Sequence, residues 1–586
     1  MTTMMNPDYP IELKGSAFTV QVETRSLNIP YSRIRPTRIQ VGAWIALILL
    51  AVAISVRDYD AYQFGTHWDD SQYATLARSL VFSDRYGLVN VPGQPLPAKY
   101  PFAYPLLLVP FLLVSPENFD VLKSMSLIAT LLNAALLFWC WRSFSRTRSY
   151  HWALAITGLY VLAPMIIDHT RRVMSEPIFT TFCLLALILT EQAARGQRGR
   201  WWSLQMSLAL MFALFTRTIG FVLIAVVFAY LLYRLGRNFW KEIALIVVEI
   251  VILLVVIVAA TPLRVSDLLP TEYLKDNNAK ILVGSDITAA TPDAEPTDTA
   301  PAAVTQPPVG PDQRIRYMVL GWIKYQFGTY PRQVALPIGG GDKEQAVADS
   351  IGLPYLPALI GYVVAAIVVL GLWRYWSQEG ATVFLFFAVL YFGSLSLWIW
   401  NDPRLLYPIQ PQIQLGFLVG LEAIFLWIAS ALGRLKWSPQ TGKLFFASVG
   451  ILLIAGSACK SLLIEDSRLH AGDLEARTRW LKSNSASSDI IMSEAPEVDY
   501  LYGGRKTVRF PLTLLSKDQL ENYIARNRVR YILVAPNIEW QKDYEPKYSV
   551  TMAGNLPALA GLAAEHRVQL VYSSESSLIQ VFKTLP

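Results

Sequence analysis

The run IALIVVEIVILLVVIVAAT, Ile243–Thr261, decides the fold class. It is broken only by Glu249, and it matches the roughly 20 apolar residues that an α-helix needs to cross a bilayer. A helix on the surface of a soluble core would show a polar face, and this one shows none. Working outward, Val41–Val56 and Pro354–Trp373 are runs of the same kind. The composition agrees: of 586 residues, 53% are hydrophobic and 16% charged, where soluble domains carry about 25% charge. The shortfall puts lipid, not water, around much of the surface, so the chain reads as an all-α polytopic transmembrane protein.

Eleven spans are expected, at 41–56, 120–141, 150–167, 176–193, 201–216, 218–235, 243–262, 352–373, 380–400, 405–431 and 444–463. The net charge of +7 does not point to nucleic acid, because the cations sit in short connectors. Arg142, Arg146 and Arg148, then Arg195, Arg198 and Arg200, then Arg234, Arg237 and Lys241, then Arg374, then Arg434, Lys436 and Lys443 all fall on the side of Arg33, Arg35 and Arg38. That is one consistent positive-inside pattern with the N-terminus cytoplasmic. Residues 1–40 are polar and form a cytoplasmic tail without a cleavable signal, so span 41–56 serves as an uncleaved anchor. Cys140, Cys183 and Cys459 all lie in spans and give neither a disulfide framework nor a metal spacing.

Loops 57–119 and 263–351 and the segment 464–586 are then extracytoplasmic. Within the second loop, 288–311 is rich in Ala, Thr, Pro and Asp and is expected to be disordered. In 464–586 a polar helix near Leu474–Ser483 precedes strand-like runs at Ile490–Ser493, Val498–Leu501, Tyr531–Val534, Val568–Tyr572 and Leu578–Phe582, which reads as a small soluble α/β domain.

Chemistry concentrates in the external loops. His67-Trp68-Asp69-Asp70-Ser71-Gln72-Tyr73-Ala74-Thr75-Leu76-Ala77-Arg78 sets two adjacent carboxylates at the start of an amphipathic helix just outside a span. Either Asp69 or Asp70 can cap that helix, and either can serve as a general base on an acceptor hydroxyl. Lys99, in Lys99-Tyr100-Pro101-Phe102-Ala103-Tyr104-Pro105, suits a phosphate as a compact cation or anchors the interface with Tyr100 and Tyr104. The loop Asp168-His169-Thr170-Arg171-Arg172-Val173-Met174-Ser175-Glu176-Pro177 keeps two arginines against the positive-inside bias, where they meet an anion. In it Asp168 has Arg171 as a candidate ion-pair partner, and Glu176 is favoured by the dipole of the helix it opens. Arg217 and Arg404 stand at external span edges, as phosphate ligands or as snorkelling side chains.

The pattern Asp69-Asp70-x-x-Tyr73-Ala74-x-x-Ala77 resembles the first external loop of GT-C glycosyltransferases, most closely the protein O-mannosyltransferase and lipid A aminoarabinose transferase group, where the pair is usually Asp-Glu. The Lys99 segment, Glu176-Pro177, Thr216-Arg217-x-x-Gly220 and, loosely, Arg404-x-x-Tyr407-Pro408 resemble further segments of that group, as do Trp480-Leu481-Lys482 and Tyr502-Gly503-Gly504-Arg505. The resemblance implies a GT-C-like fold and transfer of a sugar from a polyprenyl-phosphate donor to a lipid, glycan or protein acceptor, with inversion. Asp69 is implied as base with Asp70 beside it, and Lys99, Arg171, Arg172, Arg404 and Arg217 as phosphate ligands. Tyr73, Asp168, His169 and Glu176 are implied as substrate or structural residues. It further implies a plasma membrane, bacterial inner membrane location with the site outside. No cofactor is required; Asp69, Asp70 and Asp168 are the candidate ligands for a divalent Mg or Mn ion. A transporter or lipid flippase accounts equally for the spans, but not for the external C-terminal domain or the absence of an internal repeat; a third reading is a non-catalytic membrane scaffold whose C-terminal domain binds a partner. Phosphate-loop, His-Glu-x-x-His and Cys-x-x-Cys motifs are missing.

Overall fold

The computed structural model of the chain describes residues 37–57, 59, 65, 68–96, 100–144, 150–265, 320, 323–336, 347–379, 382–395, 403–431, 439–463, 471–536, 548–574 and 578–585. Lys99, the 288–311 stretch and the tail ahead of Thr37 lie outside them.

Helix α1 (Arg38–Val56) starts on a capping box in which Thr37 and Gln40 satisfy each other's free amides. The first loop supplies α2 (Trp68–Phe82) and α3 (Ala103–Val114). Then come α4 (Asp120–Phe144), α5 (Tyr150–Val161), α6 (Pro164–Thr170), α7 (Ser175–Ala194), α8 (Trp202–Thr216), α9 (Gly220–Leu235) and α10 (Trp240–Ala260). After the long second loop follow α11 (Tyr330–Ala335), α12 (Leu356–Glu379) and α13 (Val383–Leu395). A 3-10 segment (Pro403–Ile409) runs into α14 (Gln410–Ala431), and α15 (Pro439–Leu463) closes the bundle.

Each of the eleven expected spans falls on a helix. Among the described residues six helices are long and apolar enough to cross a membrane, including the run Pro403–Ala431. A seventh span results if α5 and α6, bent by 56°, are one. The cause of the bend is Pro164, which cannot donate an amide to the preceding turn and holds Ala163 extended at ψ 134°. Of the other four expected spans, α8, α9 and α13 are apolar helices of 10–17 residues, as is the apolar part of α15, Ser448–Leu463, and α3 is one more of that kind. The main core joins α7 through α10 to α13, the 3-10 segment and α14, with Phe179, Leu187, Leu210, Val226, Phe387 and Leu406 at its centre.

The C-terminal part consists of α16 (Ala471–Asn484), β1 (Ile490–Ser493), α17 (Pro496–Gly503), β2 (Lys506–Arg509), α18 (Lys517–Arg526), β3 (Val529–Val534), α19 (Val550–Ala564), β4 (Val568–Ser573) and β5 (Gln580–Thr584). The sheet order is β2-β1-β3-β5-β4, parallel for β2, β1 and β3 and antiparallel for the rest. Val498–Leu501, expected as a strand, is instead the middle of α17. Pro496 at the first helical positions, Glu497 and Asp499 in the first turn and Gly504 as a left-handed cap at φ 71° are all helix signals, and they outweigh the short apolar run. The sheet's missing strand is β2, whose Lys506-Thr507-Val508-Arg509 is too polar to stand out.

The two parts dock through the first loop. Leu501 joins Tyr73, Ala74 and Ala77 of α2 in one buried cluster, and Thr507 of β2 donates its amide to the Asn90 carbonyl at 2.8 Å.

Candidate functional site

Helix α2 carries Asp69 and Asp70 in its first turn, where a carboxylate is favoured by the helix dipole. Neither residue is the cap. Small Ala74 and Ala77 let α2 lie close on α3, and Tyr73 packs edge-on against Tyr100 and Tyr104 at 5.0 and 4.7 Å. The two carboxylates then diverge. Asp70 turns inward and is buried, accepting the Gly65 amide on both oxygens at 3.0 Å. Burial raises its pKa to about 7 against the pull of the Gly65 amide and of nearby Arg172 and Lys123. Asp69 faces outward with 22% of its side chain exposed. One of its oxygens accepts the Tyr100 hydroxyl at 2.7 Å, and the other meets Arg404 Nη1 at 2.5 Å.

Arg404 stands in the 3-10 segment, 335 residues from Asp69. Its Nε lies 3.9 Å from Glu176 Oε1, and the same oxygen meets Arg217 Nη1 at 2.5 Å. Glu176 opens α7 and is buried, and neither of its oxygens accepts a hydrogen bond of good geometry. Arg217 lies in the break between α8 and α9 and also donates to Ser175 Oγ at 3.2 Å, which in turn accepts the Tyr73 hydroxyl at 2.9 Å. Asp69, Arg404, Glu176 and Arg217 therefore form one alternating chain of charge, assembled from four separate elements. Its inner carboxylate, Glu176, is buried between the two arginines. Its outer end, at Asp69 and 29%-exposed Arg404, is reachable.

The remaining candidates fall around this chain. Asp168 pairs with Arg172 rather than Arg171, at 2.8 Å, because residues four apart share a helix face at the end of α6. Arg171 is buried and donates to the Ile54 carbonyl of α1 at 2.8 Å. His169 is buried, with Nδ1 2.7 Å from the Met165 carbonyl and its ring 5.0 Å from Tyr407. Lys99 lies outside the described residues. Among those residues no group of three or more His, Cys, Asp or Glu is placed to hold a metal ion, so Asp69, Asp70 and Asp168 do not fit as a shared set. Two partners escaped the sequence reading: Tyr100, read there only as an interfacial anchor, and Ser175, which bridges Tyr73 to Arg217.

No protein-family model matches the chain, and no curated protein matches its sequence. Solved structures do match its fold. ArnT from Cupriavidus metallidurans in the apo state aligns with TM-score 0.54 at 11% identity, over 93% of this chain and 98% of ArnT. The same protein bound to undecaprenyl phosphate aligns with TM-score 0.50 at 12% identity, over 93% and 98%. The archaeal oligosaccharyltransferase AglB from Archaeoglobus fulgidus, in complex with an inhibitory peptide and a dolichol-phosphate, aligns with TM-score 0.51 at 10% identity, over 94% of this chain and 75% of AglB. At such identities what is shared is the fold alone, a polytopic helical bundle, over nearly the whole of this chain.

Proposed function

We propose that the chain is a membrane glycosyltransferase that moves a monosaccharide from a polyprenyl-phosphate carrier to an acceptor hydroxyl, with inversion, at the outer end of the charge chain. The observation that carries this is the convergence of Asp69, Tyr100 and Arg404 at an accessible edge of the bundle, backed by buried Glu176 and Arg217. The fold shared with ArnT and AglB, each solved with a polyprenyl or dolichol phosphate, supports the same kind of donor.

Asp69 takes the proton of the acceptor hydroxyl while that oxygen attacks the anomeric carbon. The bond from that carbon to the phosphate oxygen breaks, and its electron pair leaves on the phosphate. Tyr100 orients Asp69. Arg404 and Arg217, with Arg172 and Lys99 as further cations, meet the charge growing on the phosphate. Preorganised cations in a site with little water lower such a barrier by several kcal/mol. The lipid tail lies between helices, and the site faces the extracytoplasmic side of the plasma membrane.

The test is sugar transfer in reconstituted vesicles, with a panel of polyprenyl-phosphate monosaccharides and an envelope acceptor fraction. Carrier consumption is expected to fall about 10²–10⁴-fold in Asp69→Asn with the fold intact. A fully active Asp69→Asn protein would remove the assignment. Movement of lipid across the vesicle without sugar transfer would favour the flippase.

A further inference from the structure

Helix α17 belongs to the C-terminal domain, yet one of its faces reaches the loop that carries Asp69. Val498 is buried there against Gly65. Gly65 has φ +98°, a conformation that side chains avoid, and a Cβ added to it would run into Val498 Cγ2. The Gly65 amide in turn donates to both oxygens of Asp70, which fixes the first turn of α2 one residue from Asp69. On its other side α17 is tied down by Asp499, whose carboxylate meets Arg477 of α16 at 3.0 Å, with the side chains 0% and 4% exposed. A buried pair of this kind sets geometry more than it adds stability. Glu497, the residue before Val498, is held by Arg509 at 3.2 Å. Two further contacts seat the same surfaces: the ring of Tyr502 stands edge-on to Phe119 at 5.5 Å, and Asn90 Nδ2 donates to Thr507 Oγ1 at 3.2 Å.

We infer that the C-terminal domain is a working part of the site and that Val498 is a positioning residue for Asp69. By closing over Gly65 it holds the amide that grips Asp70, and Asp70 holds the turn from which Asp69 reaches Tyr100 and Arg404. The role of Asp69 here rests on the proposed function; the grip of α17 on α2 does not. No contact of Val498 with substrate is needed, so its loss acts on the alignment of the base and not on binding of the carrier.

The experiment uses the full chain in lipid nanodiscs, with hydrogen exchange on the resting protein and transfer kinetics with the best carrier from the vesicle panel. Val498→Ala is expected to speed exchange in residues 68–82 about tenfold and to leave strands β1 and β3 unchanged. Its kcat is expected to fall about 10–100-fold with KM for the carrier unchanged, since small misplacements of reacting groups cost that much. Val498→Thr, which keeps the branched shape over Gly65 but buries a hydroxyl, is expected to fall between Val498→Ala and the wild type in both readings. Unchanged exchange in 68–82, or faster exchange spread across β1 and β3, overturns the inference, as does faster exchange in 68–82 with kcat intact. If the wild-type chain transfers no sugar, the proposed function has failed while exchange still decides whether α17 holds α2.

Discussion

Asp69 and Asp70 are adjacent in sequence and have opposite surroundings. The pKa of Asp70 is raised by burial to about 7 from 3.8, so the folded state binds a proton that the unfolded state has already released. Its contribution to stability is therefore full below about pH 4 and is lost as pH rises to 7, by an amount on the order of a few kcal/mol. Melting temperature against pH is expected to show that decline in the wild type and a flatter profile in Asp70→Asn between those limits. Arg404 bridges Asp69 and Glu176, a task for a planar fork that a lysine cannot perform. Arg404→Lys keeps the charge and is expected to lose about 10–100-fold in carrier turnover in the vesicle assay. Sequence alone marks Asp69 as one of two carboxylates that open a helix, Glu176 as a charge at a helix start, and Arg217 and Arg404 as cations at span edges. It gave no access to their pairing, because Asp69 and Arg404 are brought together only by the packing of the bundle. Local pairs are no safer: Arg171 is the candidate partner that sequence offers Asp168, while the helix turn hands it to Arg172.

At the scale of elements, α12 and α14 meet backbone to backbone. Their approach is set by glycine: a Cβ on Gly371 would run into the carbonyl oxygen of Gly416. Small residues allow such backbone contact in membranes, where dispersion and not the hydrophobic effect drives association. Gly371→Ala must push the pair apart, and a loss of about 1–3 kcal/mol is expected, read as a lower melting temperature in detergent. Gly42→Ala in α1, with nothing within 4 Å of its added Cβ, is the matched control and is expected to stay within about 1 kcal/mol of the wild type. Helices were legible because apolar runs of bilayer length have few alternatives. Breaks were not: the bend at Pro164 sits inside a run that hydropathy smooths over. The strand assigned to Val498–Leu501 failed for a related reason, since four apolar-leaning residues fit both periods and the caps around them decide.

At the scale of the molecule, the surface is divided between two solvents. Val251 in α10 is 54% exposed and Leu570 in β4 is 48% exposed, so by exposure alone they are alike. Val251→Lys places a charge near the middle of an apolar span and is expected to cost about 2.5–3.5 kcal/mol, with a matching fall in folded, membrane-inserted yield. Leu570→Lys is expected to change stability by no more than about 0.5 kcal/mol. Equal losses at the two positions would mean that the lipid boundary lies elsewhere. The bundle and the separate C-terminal sheet were both readable from hydropathy. Their docking was not, because the surfaces that meet, Asn90 with Thr507 and Gly65 with Val498, are too small and too far apart in sequence to leave a pattern. That separation has a consequence in time. Asn90 and Thr507 are 417 residues apart, and at a synthesis rate of about 5–20 residues per second the first loop waits roughly 20–80 s for its partner to emerge. Until then the loop surface that receives Leu501 and Thr507 faces water, and a nascent chain with every membrane helix in place still presents it, uncovered, to quality-control proteases.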